Sequence, residues 1–290
     1  MPGVCTGNMD TGFIGLGYAK VTFLGIVQGT TELLPISSTA HMRVVPALLG
    51  WSDPGSAFSA AMQLAALFAV VSYFWRDVRS LAVGSATAIA GRDFANRDLR
   101  LSLGIVLATM PIIVAGIALA PLLNACSSPL RSLNVVGAAC LVMAALLAGA
   151  ELLARHTRTL EQARLHDMLL IGLAQVGALI PGVSRSGSTL TAALGLGFKR
   201  EEAARFSFLL GLPAITLAGI KELWALHQAH LPFHGWAVLG VGLLVASLSA
   251  YAAIWALMRI LERMSAWPFV AYRGFLGALI LLLGATGRAA

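Results

Sequence analysis

Four runs of the chain, residues 58–75, 101–121, 133–150 and 236–258, contain no Asp, Glu, Lys or Arg over 18 to 23 positions each. A helix needs roughly 17–25 mostly apolar residues to cross a hydrocarbon core about 30 Å thick. Repetition of that length leaves few alternatives to a bundle of membrane-spanning helices, because only helices and closed barrels satisfy every backbone group in lipid. The composition agrees: 58% of the 290 residues are hydrophobic, 11% are charged and the mean hydropathy is +0.82. A soluble domain lies nearer about 45–50% apolar and about 25% charged. The reading is an all-α polytopic membrane protein, one integral domain over residues 1–290. The net charge of +7 is no argument for a nucleic-acid partner, since the basic residues sit in short inter-helix loops rather than in a basic domain. Cys5, Cys126 and Cys140 show neither metal-ligand spacing nor a disulfide framework. The first residues, MPGVCTGNMDTGF, lack a basic stretch before an apolar core and do not read as a cleaved signal.

The loops set the topology. Arg76, Arg79, Arg92, Arg97 and Arg100 crowd residues 76–100. Three basic residues lie in 151–167, three in 198–205 and two in 259–266, whereas 51–57 and 225–235 have none. Positive loops stay in the cytoplasm. This predicts six spans: 58–75, 133–150 and 236–258 running inward, and 101–121, 206–224 and 267–287 running outward. Lys221, Glu222 and Arg273 fall toward helix ends, where long side chains can snorkel, although Lys221 fits the scheme least well. Segments 20–50 and 168–198 must then each begin and end on one side. Each has a proline and a Ser/Gly cluster at its middle, so each is expected to be a re-entrant helix pair.

The two segments also resemble each other. QGTTELLPISS over QVGALIPGVSR puts Gln28 on Gln175 and Ser37 on Ser184, 147 positions later. Phe58-Ser59 matches Phe206-Ser207 at nearly the same offset, and Trp75 lies one position from a match to Trp224. Three spans separate the segments, an odd number, so the expectation is an inverted repeat with halves at about 12–150 and 165–290. Such repeats meet at a midplane site built from broken helices.

The chemistry expected at the two tips follows from residue type. Glu32 sits inside an apolar run, where an ionisable group is costly and is read as functional by default. Gln28 and Glu32 share a helix face, Pro35 ends that helix, Ser37 or Ser38 suits the next N-cap, and His41 lies one turn beyond Ser38. At the second tip, Pro181-Gly182 precede Ser184, Arg185, Ser186, Gly187 and Thr189, which open a further helix. A helix N-terminus favours an anion, phosphate above all, and the Arg185 fork matches phosphate oxygens. A purely structural pairing of Arg185 with Glu32 is the competing account of the same residues.

With QGTTELLPISSTAH and PGVSRSGST in view, the chain resembles the undecaprenyl-diphosphate phosphatase family of the bacitracin-resistance type. The family's signatures are (E/Q)-x3-E followed by P-x-S-S-x-x-H, and P-G-x-S-R-S-x-x-T. The similarity runs on through FWR at 74–76, FSFLLGLPA at 206–214 and PFVAYR at 268–273. The resemblance implies a bacterial inner-membrane hydrolase of two inverted repeats, its pocket open to the periplasm. It would convert undecaprenyl diphosphate to the monophosphate and inorganic phosphate, recycle the lipid carrier of peptidoglycan synthesis and confer bacitracin resistance. It implies Glu32, Ser38, His41 and Arg185 as catalytic, with Gln28, Ser37, Ser184, Ser186, Gly187 and Thr189 around the substrate. It also implies Mg²⁺ or Ca²⁺ near Glu32 and Gln28, and it admits a homodimer. Gln28 stands at the position that alternates between Glu and Gln, Ala40 replaces a glycine before the histidine, and Arg43 stands where an apolar residue is expected.

Three mechanisms remain open from the residues: attack by Ser38 with His41 as base, or water activated by His41 or by Glu32. A polyprenyl-phosphate transporter or flippase with the same inverted-repeat pocket is the alternative function. A structural scaffold would need no polar tips.

Overall fold

The computed structural model describes residues 12–124 and 128–286, so Cys5, Cys126 and most of the N-terminal stretch lie outside the described residues. Those residues form twelve α-helices and three short 3₁₀ turns, with no strand among them beyond a single bridge between Arg158 and Phe198.

Helix α1 (Phe13–Glu32) carries one non-helical residue, Gly17 at φ 70°, and ends before Pro35. A turn then leads into α2 (Ser38–Leu48). Three helices follow at the predicted spans: α3 (Ser56–Tyr73), α5 (Arg97–Ala118, followed by the short α6, Ala120–Asn124) and α7 (Leu133–Leu153). Between α3 and α5 lies α4 (Trp75–Ala90). The second half opens with α8 (Leu165–Gln175) and α9 (Arg185–Gly195). It continues through α10 (Arg200–Gln228), α11 (Phe233–Arg263) and α12 (Trp267–Ala285). Five helices are individually long and apolar enough to cross a membrane: α5, α7, α10, α11 and α12. The α3–α4 pair supplies a sixth if taken as one span bent by 80°. The protein is a multi-pass membrane protein.

Residues 76–100 correct the expectation of a loop, because most of them are helical. Charge at Arg76, Asp77 and Arg79 forbids continuing α3 through lipid, and the chain turns sharply at Phe74. Asp77 in the first turn of α4 suits the helix dipole and pairs with Arg205 of α10. Polar contacts then lay α4 against α5, Ser80 to Asp98 at 2.7 Å and Ser85 to Ser102 at 2.9 Å.

Small residues bring α1 and α8 close to their supports. A Cβ on Gly25 would lie 2.9 Å from the Gly242 carbonyl of α11. Gly172, 147 positions after Gly25, is pressed in the same manner onto the Ala108 carbonyl of α5. The same offset relates the two glycines that end α2 and α9 in positive φ, Gly50 at 64° and Gly197 at 85°. It also relates the N-caps, Ser37 at φ 71° and Ser184 at φ 69°. Each cap serine accepts a hydrogen bond from the amide three residues on, that of Ala40 or Gly187.

Candidate active site

The two tips meet. Glu32, at the end of α1, is 7% exposed, yet its carboxylate holds three donors. Gln28 Nε2 donates to Oε2 at 2.8 Å, Ser38 Oγ to the same oxygen at 2.5 Å, and Arg185 Nη2 to Oε1 at 3.3 Å. Each partner has a local reason for its place. Gln28 is one turn before Glu32 on the same face. Ser38 is the first residue of α2, after a cap whose positive φ swings the chain round. Arg185 holds the equivalent place in α9. Its guanidinium rests where a Cβ at position 211 of α10 would be, so Gly211 leaves the space it fills.

Further contacts join and brace the tips. Ser186 Oγ lies 3.3 Å from the Glu32 carbonyl and 3.1 Å from that of Leu34, and it bonds Ser184 Oγ at 3.2 Å. Thr189 bonds the Arg185 carbonyl at 2.9 Å and also Ser207. Gly187 admits Arg273, whose Nη1 would lie 2.6 Å from a Cβ there.

Arg273 corrects the expectation of a snorkelling side chain, for it is 1% exposed. Its Nη1 donates to the Pro35 carbonyl at 3.0 Å, and Nη2 donates to the Gly182 and Val183 carbonyls at 2.8 and 2.9 Å. One guanidinium therefore ties the first tip to the second. Sequence reading missed it because PFVAYR sits near a helix end, where an arginine usually reaches water. The absence of acid near it in the sequence was the available hint of carbonyl partners.

His41 does not pair with Ser38. Its Nδ1 meets the Ser37 carbonyl at 2.7 Å, so in the neutral ring that nitrogen carries the proton, and Nε2 accepts from Tyr272 Oη at 2.6 Å. The two rings stack at 5.6 Å and 7°. The i, i+4 geometry of the α2 cap captures the imidazole, and both ring nitrogens are used away from the serine.

Glu32, Ser38, Thr39, Ser184 and Arg185 line one cavity of about 760 Å³. Its walls are apolar, among them Ile113, Ile117, Leu179 and Ile215. The predicted Gln28, Ser37, His41, Ser186, Gly187 and Thr189 stand behind that lining. The first turns of α2 and α9 both open on the cavity, and their unbonded amides with the positive dipole ends favour an anion. No cluster of three or more His, Cys, Asp or Glu that could hold a metal occurs among the described residues. The acid is confined to one half: Leu179 stands 147 positions after Glu32.

The comparisons with known proteins cover nearly the whole chain. The family model for bacitracin resistance protein BacA matches residues 21–279. Undecaprenyl-diphosphatase 2 of Mesorhizobium japonicum is 72% identical over 256 residues, which is 88% of this chain and 97% of that protein. Undecaprenyl-diphosphatase of Gloeobacter violaceus is 50% identical over 277 residues, 94% of this chain and 93% of that protein. That of Trichormus variabilis is 50% identical over 259 residues, 89% and 81% of the two.

Proposed function

We propose that this chain, which belongs to the bacitracin resistance protein BacA family, hydrolyses undecaprenyl diphosphate to the monophosphate and inorganic phosphate. The observation that carries the reading is the convergence of Glu32, Ser38 and Arg185 on one cavity with two helix N-termini. Passive recognition of a phosphate calls for cations and amides. A serine whose proton already points at a buried carboxylate is the arrangement of an activated nucleophile.

In the mechanism that fits this geometry, Arg185 and the first-turn amides hold the terminal phosphate and offset charge as it shifts, the dominant contribution in phosphoryl transfer. Ser38 Oγ attacks the terminal phosphorus and passes its proton to Glu32. The bond to the bridging oxygen breaks, and the lipid monophosphate leaves with that oxygen's electron pair. Water then attacks the phosphoseryl phosphorus, the bond to Ser38 Oγ breaks as Glu32 returns to it the proton taken in the first step, and both protons of the water leave with inorganic phosphate. His41, held by Ser37 and Tyr272, positions α2 rather than moving the proton.

A divalent cation fits the donor set in a limited way. Glu32 and the side-chain carbonyl of Gln28, whose amide alone is engaged, would hold it together with phosphate oxygens, as Mg²⁺ is commonly bound. Bound there, it would supply positive charge to the diphosphate.

The cavity is lined by the C-terminal halves of α5 and α10, away from the basic stretches 76–100 and 198–205. With basic loops cytoplasmic, it faces the periplasm of a bacterial inner membrane. That is where a spent lipid carrier of peptidoglycan synthesis would be recycled and where bacitracin resistance would originate. Two halves related by the 147-residue offset and inverted across the midplane account for the opposed tips.

The test is release of inorganic phosphate from undecaprenyl diphosphate by purified protein in detergent, where no second compartment exists. Release by the wild type, lost in Glu32→Gln and Arg185→Ala, with a phosphoseryl adduct at Ser38, supports the reading. Binding without release would make the protein a carrier and overturn it.

A further inference from the structure

Lys221 is the residue that fitted the span scheme least well, and its surroundings in the fold give it a use. It is exposed, lies two turns before the end of α10, and lines the same cavity as Arg185. It forms no hydrogen bond or close ion pair among the described residues; its charge also acts on the neighbouring Glu222, which does not line the cavity. Snorkelling accounts for a lysine on a lipid-facing helix end, but not for one set on a cavity wall.

Its depth can be read from the helices. The Arg185 guanidinium rests at Gly211, ten residues before Lys221 on α10, which is about 15 Å along the axis at 1.5 Å per residue. The wall between is apolar: Ala214, Ile215, Leu217 and Ala218. On the facing helix, Leu64 of α3 packs where a Cβ on Gly219 would be, so Gln63 stands level with the Lys221 turn. Gln63 also lines the cavity, and it forms no hydrogen bond among the described residues. A bare amide on a membrane helix is costly unless it meets water or a polar ligand. A cation and an unpartnered amide thus face one space at one depth, separated from the tips by an apolar corridor.

We propose that Lys221 and Gln63 form a second anion-binding station at the cavity mouth, on the path that a phosphate group takes to or from Arg185. At about 15 Å from Gly211, Lys221 cannot reach a phosphate held at Ser38, so its effect falls on capture or release rather than on the chemical step. The ligand chemistry is a phosphate anion, either the lipid diphosphate arriving or inorganic phosphate leaving.

The inference rests on the hydrolase reading, and the experiment keeps the two apart. Full-length protein in detergent is assayed with undecaprenyl diphosphate as wild type, Lys221→Gln, Lys221→Arg and Gln63→Leu. Lys221→Gln is expected to raise KM about tenfold at low salt while kcat falls less than about twofold. The difference should narrow as salt screens the charge, and Lys221→Arg should restore KM. Gln63→Leu should raise KM in the same direction. Weaker product inhibition by inorganic phosphate in Lys221→Gln, with KM unchanged, assigns the station to the leaving anion. Unchanged KM and unchanged inhibition in Lys221→Gln overturn the proposal. If the wild type releases no phosphate, the hydrolase reading fails on its own. Equal binding of labelled undecaprenyl diphosphate to wild type and Lys221→Gln would then reject the station as well.

Discussion

Replacing Arg273 with methionine tests whether one buried cation holds the two tips in register. The substitution keeps a long unbranched side chain and removes the three bonds to Pro35, Gly182 and Val183. Hydrogen bonds to a charged group contribute about 1.5–3 kcal/mol each, so the gross loss is about 5–9 kcal/mol. Relief from desolvating the guanidinium returns several kcal/mol, but three carbonyls are left unpaired in a dry interior. The net destabilisation expected is about 3–5 kcal/mol, a fall of about 10 °C in the thermal midpoint in detergent. Arg273 does not line the cavity, so its effect on turnover passes through the tips. A drift of about 1 Å between Ser38 and Arg185 would lower kcat by about a hundredfold. Arg273→Lys keeps the charge but lacks the fork that reaches both tips, and should fall between the two. The assay is phosphate release with thermal melting of the same samples. A methionine variant that melts as the wild type does and keeps its kcat would refute the clasp. Reduced melting with unchanged kcat would refute its link to catalysis.

Further outcomes follow from single contacts. Gly211→Ala puts a methyl group on the Arg185 guanidinium and should cut kcat/KM by about 10–100-fold with little change in melting; unchanged kinetics would refute the packing argument. A chelator should lower phosphate release, with recovery on adding Mg²⁺ or Ca²⁺; full turnover in chelator would show that the protein's own cations suffice. At the aqueous end of α8, burial alone would raise the Asp167 carboxyl. The Arg158 side chain, at 2.5 Å, the Arg164 amide and the charges of Arg158 and His166 outweigh burial and hold it below the ordinary carboxylate range. A depressed acid stabilises the fold fully above its unfolded pKa of about 4 and loses that contribution as pH falls through the folded value. Melting of the wild type should therefore drop below about pH 4. Asp167→Asn should be less stable at neutral pH and should have a shallower acid slope; an identical slope would refute the linkage.

Much of the arrangement is carried by neighbours along the chain, and such information survives in sequence. Uncharged runs mark the spans because lipid demands them. Gln28 and Glu32 share a face because four residues make about one helical turn. Ser37 and Ser184 announce helix starts because a serine side chain can take up a first-turn amide. Helix α4 was obscured because Arg76, Asp77 and Arg79 read as a polar loop. Only the packing of α4 on α5, and the pairing of Asp77 with Arg205 at 128 positions' separation, turn that stretch into a helix.

By itself the sequence determined an all-helical membrane chain, two broken segments with matched motifs, and the residue types able to handle a phosphate. The tertiary structure alone decided which of them touch. His41 was one turn from Ser38 on paper, yet the cap carbonyl and Tyr272 claim both its nitrogens. Ser38 instead donates to Glu32, and Arg185 reaches that carboxylate across 153 positions. Arg273 binds Pro35 across 238, and Lys221 comes to share a wall with Arg185. Periodicity reports which face a residue occupies. What that face meets depends on how close two backbones can approach, and small residues such as Gly25, Gly172 and Gly211 set that distance only after the helices have packed.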